Sequence, residues 1–410
     1  MTVARRALED LAVFGGRPAF AEPLHVGRPN VGDREAFLAR VRDILDRRWF
    51  TNNGPYVQDF ERRIAELTGT RHAIAVCNAT IGLELLVRAL ELEGEVIVPS
   101  FTFVATAHAL QNQGIRPVFC DIDPRTHNLD PDQVEALVTP RTTAILGVHV
   151  WGRGCAVERL TAIARARGLR LLFDAAHAFA CTHAGRMIGG FGDAEVFSFH
   201  ATKFLNTFEG GAITTADDAL AERLRFMRNF GFSGYDQVSF LGTNGKMPEI
   251  CAAMGLTGFE GLDELVDANR RHQRTYRDAL RDVRGLSLLE YDPAERSNHQ
   301  YVVVEVDADA FGLDRDQLVR VLHAENVLAR RYFHPGCHEM EPYRTTDPDA
   351  HLRLPHTERL CTRVMTLPNG TGLRTADVEA VGALLRSCAE HAPTIAARLG
   401  RSQVTGGVVG

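Results

Sequence analysis

Four polar side chains stand at or just beyond the ends of short apolar runs in this 410-residue chain, and together they suit carbonyl chemistry. Lys203 follows "VFSFHAT", Ser198 lies inside that run, Asp174 ends "LLFD", and His177 comes three residues later. A lysine at the end of a buried strand is desolvated, which lowers its pKa and frees the amine to attack a carbonyl. A carboxylate in the same setting stays ionised if it pairs with a protonated ring nitrogen. Upstream, Asn78, Ala79 and Thr80 open an amphipathic helix whose free N–H groups and positive dipole end suit a phosphate. Phe103, just past "EVIVPS", is placed to stack on a flat ligand. Taken singly, each has an ordinary reading: surface charge for Lys203, helix caps for Asp174 and Asn78, core packing for Phe103. In combination they supply what pyridoxal 5'-phosphate requires: an amine for a Schiff base, an acid for the ring nitrogen, and a hydroxyl and helix start for the phosphate.

The elements that must carry these residues alternate. "EVIVPS", "PVFCDID", "TAILGVHV", "LRLLFDAA", "AEVFSFH" and "GAITT" read as strands, separated by helices near 79–91, 103–113, 131–138 and 156–167. Near-continuous apolar strands interleaved with helices predict a mostly parallel sheet covered on both faces, with ligands gathered at the carboxyl ends of the strands. A Gly- and Pro-rich arm occupies residues 1–30 and leads to a helix near 33–47. "TNNGPYVQDFERRIAELTG" then supplies a turn and a second helix. A large cofactor-binding domain is expected over 31–255. A smaller α/β domain follows over 256–392, with a long helix at 256–284, strands "LSLLEYD", "HQYVVVEVD" and "VLARRYF", and helices near 315–325, 356–364 and 375–390. Residues 393–410 are expected to form a mobile tail.

Composition narrows the function. With 45% apolar residues the chain can bury a large core, and 46 basic against 52 acidic residues give a net charge of -6 without a basic block, so nucleic acid is not an expected partner. The first 20 residues lack the apolar core of a secretory signal and no apolar run is long enough to span a membrane, so a cytoplasmic protein is expected. Eight cysteines at 77, 120, 155, 181, 251, 337, 361 and 388 include no C-x-x-C pair and read as small buried hydrophobes. His334 and His338 have the spacing of a helical metal site, but Pro335 and Gly336 between them argue against the helix, and no metal is expected.

The stretches "VGRPN", "NGPYVQDFE", "CNAT", "HVWGR", "FDAAHA", "GDAEVFSFHATK", "FEGGAITT", "GTNGKM", "NHQYVVVE" and "YFHPGCHEMEPYR" resemble, in order, the DegT/DnrJ/EryC1/StrS family of sugar-nucleotide aminotransferases, from about Leu24 to about residue 390. The resemblance implies the aspartate aminotransferase-like α/β fold, that of fold-type-I pyridoxal phosphate enzymes. It implies Lys203 as the Schiff-base lysine, Asp174 as partner of the ring nitrogen, and His177 beside the ring near its 3-hydroxyl. Ser198, Ala79 and Thr80 would then bind phosphate, Phe103 would stack on the ring, and Asn244 would reach the phosphate of a partner subunit in a homodimer. Asn53, Arg330 and His334 are candidate substrate contacts. Two positions depart from the family pattern: Ala79 stands where many relatives have Gly, and Lys246 where they have Arg.

The activity implied is transfer of the amino group of L-glutamate, carried as pyridoxamine phosphate, to C4 of dTDP-4-keto-6-deoxy-D-glucose. The products would be dTDP-4-amino-4,6-dideoxy-D-glucose and 2-oxoglutarate, in the biosynthesis of the deoxyaminosugar of a secondary metabolite. Transfer to a C3 ketone, or to C4 with an axial amine, is the alternative within the family. A sugar dehydratase of the same fold would carry His in place of Lys203. A pyridoxal phosphate-dependent sensor that binds a sugar nucleotide without turnover would not convert glutamate, and a nicotinamide dehydrogenase would need a G-x-G-x-x-G after a strand, which the chain lacks.

Overall fold

The computed structural model describes residues 7–402. Residues 1–6 of the expected arm, and the part of the expected tail beyond Ser402, lie outside them. Elements follow in chain order: β1 (Leu24–His25), α1 (Arg34–Arg47), α2 (Pro55–Thr68), β2 (His72–Val76), α3 (Ala79–Ala89), β3 (Glu95–Pro99), α4 (Ala105–Gln111), β4 (Arg116–Cys120), α5 (Pro131–Leu137), β5 (Thr142–Val148), α6 (Val157–Arg167) and β6 (Arg170–Asp174). A small hairpin, β7 (Thr182–His183) and β8 (Arg186–Met187), precedes β9 (Ala194–Ser198), β10 (Gly211–Thr215) and α7 (Asp218–Met227). A second hairpin, β11 (Phe232–Gly234) and β12 (Gln237–Val238), leads to α8 (Glu249–Glu260) and α9 (Leu262–Leu280). The remainder comprises β13 (Leu286–Leu288), β14 (Val302–Val306), α10 (Ala308–Phe311), α11 (Arg315–Ala324), β15 (Val327–Leu328), α12 (Tyr343–Thr346), α13 (Pro355–Arg363), β16 (Val364–Leu367) and α14 (Thr375–Ser402).

Seven strands form the main sheet in the order β2-β10-β9-β6-β5-β3-β4. All neighbours run parallel except at β10, which is antiparallel to both β2 and β9. Strands β3, β9 and β10 are buried along their whole length, as expected of a sheet with helices on both faces. One apolar cluster lies on the face covered by α2, α6 and α8, a second on the face covered by α3, α4 and α7. The parallel register brings the carboxyl ends of β3, β5, β6 and β9 to one edge, where the site forms.

A third cluster packs α9, α11 and α14 on the antiparallel sheet β13-β14-β16. The helix expected at 256–284 begins earlier, at Glu249, and is divided at Gly261. The buried side of α8 belongs to the large core, and the core passes to the smaller one along α9, where Tyr276 and Leu280 are buried. The helix expected near 375–390 runs on to Ser402, through residues assigned to the tail. Pro393 removes one N–H from that helix, yet Ala392, Ile395 and Leu399 are buried against the smaller core, and this packing outweighs the loss. "VLARRYF" is strand only over Val327–Leu328, where it pairs with the two-residue β1; beyond that Arg330 makes an isolated bridge to Thr366. Strands β2 and β16, and the short strands β1, β7, β8, β11 and β12, are not among the runs that the sequence predicts.

The arm crosses from one core to the other. Leu24 and His25 pair in parallel with β15, and the buried Asn30 bonds both ways. Its amide nitrogen donates to Phe204 O at 3.0 Å, and its Oδ1 accepts from the Thr371 N–H and hydroxyl at 3.0 and 2.8 Å. Gly27, at φ 73°, passes so near the Lys203 turn that a Cβ there would lie 2.9 Å from Thr202. Only glycine meets both demands.

Candidate active site

A cavity of about 650 Å³ opens at the carboxyl edge of the sheet, and Lys203, Asp174, His177, Ser198, Ala79 and Phe103 all contribute to its wall. Thr80, also predicted, lines it beside Ala79, and so does Arg330. The sequence therefore placed most of its candidate residues in one hollow.

Each is held by local structure. Strand β6 ends in Asp174, whose Oδ1 accepts the Ala176 N–H at 3.0 Å and whose Oδ2 accepts the Thr106 hydroxyl at 2.9 Å. Burial pushes the Asp174 carboxyl above its usual range, while these two donors and the Lys203 charge pull it back. Lys203 sits in a turn beyond β9, its N–H bonded to His200 O at 2.8 Å. Phe204 and Leu205, both buried, anchor the turn to the core. Lys203 is half-buried and lines the cavity. Burial lowers its amine to about 8, against the opposing charge of Asp174.

His177 is buried and accepts the Trp151 N–H on Nδ1 at 3.3 Å, which leaves the proton of the neutral ring on Nε2. Burial, followed by the Lys203 cation, holds its pKa well below the ordinary histidine value. The His177 ring lies nearly parallel to those of Trp151 and Phe333, with centroids 5.8 Å away in each case.

At the far wall α3 begins. Asn78 caps it, its Oδ1 accepting the Ile81 N–H at 2.9 Å, and the helix start faces the cavity. Gly211 makes this approach possible, since a Cβ there would meet Ala79 N and Phe197 O at 2.8 Å. Ser198 ends β9 beside it. Phe103 remains 60% exposed, its ring open to the cavity. The arrangement fits a planar phosphorylated aldehyde. The Asp174 acceptor suits a protonated ring nitrogen, the start of α3 and the Ser198 hydroxyl suit an anion, and the Lys203 amine, lowered by burial, borders the same cavity.

Three predicted residues lie elsewhere. His334 lines an adjoining hollow with Phe103, Arg330 and Met340. Asn53 is exposed and accepts from Arg228 Nη2 at 2.9 Å. Asn244 is exposed too, in a loop bridged to Asn229. His338 does not face outward with His334 as a metal pair. It is buried, with Nδ1 2.6 Å from the Ser100 hydroxyl and Nε2 against Glu358; Glu339 completes the only group among the described residues with metal-ligand geometry. Arg331, beside Arg330, pairs with Asp316 at 3.1 Å.

The sequence did not single out Thr106, Trp151 or Tyr332 as parts of the site. Thr106 stands three residues after Phe103, on the first turn of α4, and a helix reading could have turned it toward the strand ends. Trp151 offers no such signal, because its N–H reaches His177 through a left-handed backbone, φ 62°.

The model of the DegT/DnrJ/EryC1/StrS aminotransferase family matches residues 32–386. A dTDP-4-amino-4,6-dideoxy-D-glucose transaminase of Shigella dysenteriae is 35% identical over 89% of this chain and 99% of its own. A GDP-perosamine synthase of Caulobacter vibrioides is 36% identical over 84% of this chain and 93% of its own. Among solved structures, DesI, crystallised in the presence of its TDP-sugar product, superposes with a TM-score of 0.92 at 53% identity, covering 96% of this chain and all of the other. No helix among the described residues is long and apolar enough to cross a membrane.

Proposed function

The chain belongs to the DegT/DnrJ/EryC1/StrS aminotransferase family and is a sugar aminotransferase, and from that premise we propose that it uses pyridoxal 5'-phosphate to move the amino group of L-glutamate to C4 of dTDP-4-keto-6-deoxy-D-glucose. The observation that carries the reading is the meeting of Lys203, Asp174 and the start of α3 around one cavity. The C4 ketone and the dTDP group are supported by the Shigella dysenteriae transaminase and by DesI, whose product is a TDP-sugar.

The bound cofactor supplies an electron sink for the charge left when a C–H bond beside the amino group breaks. The chain does the rest. Lys203 would hold the cofactor through Nζ, and the same Nζ, when free, would serve as the base that takes a proton from the donor's α-carbon and passes it on. An amine at about 8 is suited to both tasks, since it loses and regains a proton near neutral pH. Asp174, fixed by Thr106 and Ala176, keeps the ring nitrogen protonated. His177 stands beside the ring as a neutral group, Phe103 covers a ring face, and Ser198 with the N–H groups of Ala79 and Thr80 holds the phosphate. Arg330, His334 and Asn53 serve the substrates.

Asn244 acts in the site of a second copy. Supporting this, Phe230, Phe232, Tyr235, Leu241 and Ile250 leave apolar surface exposed along the segment that carries it. Tyr235 is 97% exposed.

The test is a pair of half-reactions. Adding L-glutamate to the cofactor-loaded protein should bleach the absorbance of the bound cofactor, and dTDP-4-keto-6-deoxyglucose should then restore it with a 4-amino sugar identified by NMR. Bleaching without recovery would reject this sugar, and no bleaching would reject glutamate as donor.

A further inference from the structure

A second and much smaller cavity, of about 10 Å³, also borders Lys203. Lys203 and Thr202 border both. The arm residues Gly27 and Asn30 line the small cavity together with Asn269 and Gln300. It has room for about a single water.

Two buried acceptors there have no partner in the protein: Asn269 Oδ1 and Gln300 Oε1. Neither amide can be turned over to remove the problem. Asn269 Nδ2 donates to Asn298 O at 3.0 Å, and Gln300 Nε2 donates to Thr202 O at 2.7 Å, so a flip would set oxygen against oxygen in both. Asn269 is 1% exposed, so bulk solvent does not reach it. A buried acceptor without a donor costs free energy, and two of them on the wall of one water-sized cavity call for a single donor that serves both.

We propose that Asn269 and Gln300 hold one water molecule beside Lys203, and that this water accepts a hydrogen bond from the lysine amine. A small cation would satisfy the two oxygens but would repel a protonated Lys203 at its side. A water that donates both hydrogens to the amides turns its lone pairs toward the rest of the wall, where Lys203 is. It can then accept from the amine but cannot donate to it, so it favours the charged form of Lys203 whenever the amine is free. Gln300 and Asn269 are accordingly positioning residues that act through this water. The role assigned to the water rests on the reading of Lys203 as the amine that binds the cofactor.

A crystal structure of the cofactor-loaded protein, at a resolution that orders other buried waters, should show a peak within hydrogen-bonding distance of both Asn269 Oδ1 and Gln300 Oε1. A cavity without that peak, or one filled by Lys203 Nζ itself, overturns the proposal. Two variants test the role. Gln300→Met removes the acceptor and should move the pH midpoint for covalent uptake of pyridoxal phosphate to lower pH, by roughly half a unit or more. Asn269→Leu removes the other acceptor, leaves the bond from Gln300 to Thr202 O in place, and should move the midpoint to lower pH as well. If Gln300 mattered only through its bond to Thr202 O, Asn269→Leu would leave the midpoint where it is and the proposal would fall. Failure of the underlying reading is recognised separately: the native protein would then form no covalent adduct with the cofactor, whatever the cavity holds.

Discussion

Burial acts in opposite senses on the two charged residues at the centre of the cavity, lowering Lys203 to about 8 and raising Asp174, while each charge moderates the shift of the other. The neutral amine is the reactive form, so covalent uptake of pyridoxal phosphate by the cofactor-free protein should accelerate as pH rises and level off above about 8. Stopped-flow absorbance across pH 6–10 would test this (range chosen as roughly two units either side of the midpoint). Lys203→Ala should bind the cofactor without covalent attachment and lower transamination by at least ~10²–10⁴-fold, the usual weight of a general base. Asp174→Asn keeps the volume and should leave phosphate binding nearly intact. Loss of the charge opposite the ring nitrogen should cut the half-reaction with glutamate by ~10²–10³-fold, which single-turnover kinetics would show.

The strands and helices that set these distances were legible to different degrees. Strands β3, β5, β6, β9 and β10 announce themselves as short β-prone runs, and with them come the strand-end positions of Asp174 and Ser198. Strand β2, "HAIAV", is short and has alanine at two of its five positions, a weak strand signal, and the extension of α14 past Pro393 depends on packing that local sequence does not display. Support between elements was less visible still: the Thr106 hydroxyl reaches Asp174 across 68 residues of sequence, and Trp151 reaches His177 through a backbone conformation. Thr106→Val should expose how much this support matters. It deprives a buried carboxylate of a donor and should lower stability by ~1–3 kcal/mol in denaturant titration, whereas Thr106→Ser should restore most of it.

At the scale of the whole molecule, the proposal that Asn244 serves a second copy makes a quantitative demand. Lys203→Ala and Asn244→Ala chains would each be impaired alone. If subunits exchange freely and pair at random, half the dimers are mixed and carry one intact site of two, so about a quarter of native activity should return on mixing. No recovery, with exchange verified by mass spectrometry, would place Asn244 in its own subunit's site or in none. The arm bears on the order in which the molecule can be completed. Asn30 is bonded to Thr371, 341 residues later, and β1 pairs with β15. On a ribosome adding ~5–20 residues per second, the arm waits roughly 20–70 s for these partners. The nascent sheet can therefore assemble long before the pocket is closed over Lys203, and chains arrested before Val327 should be unable to retain the cofactor.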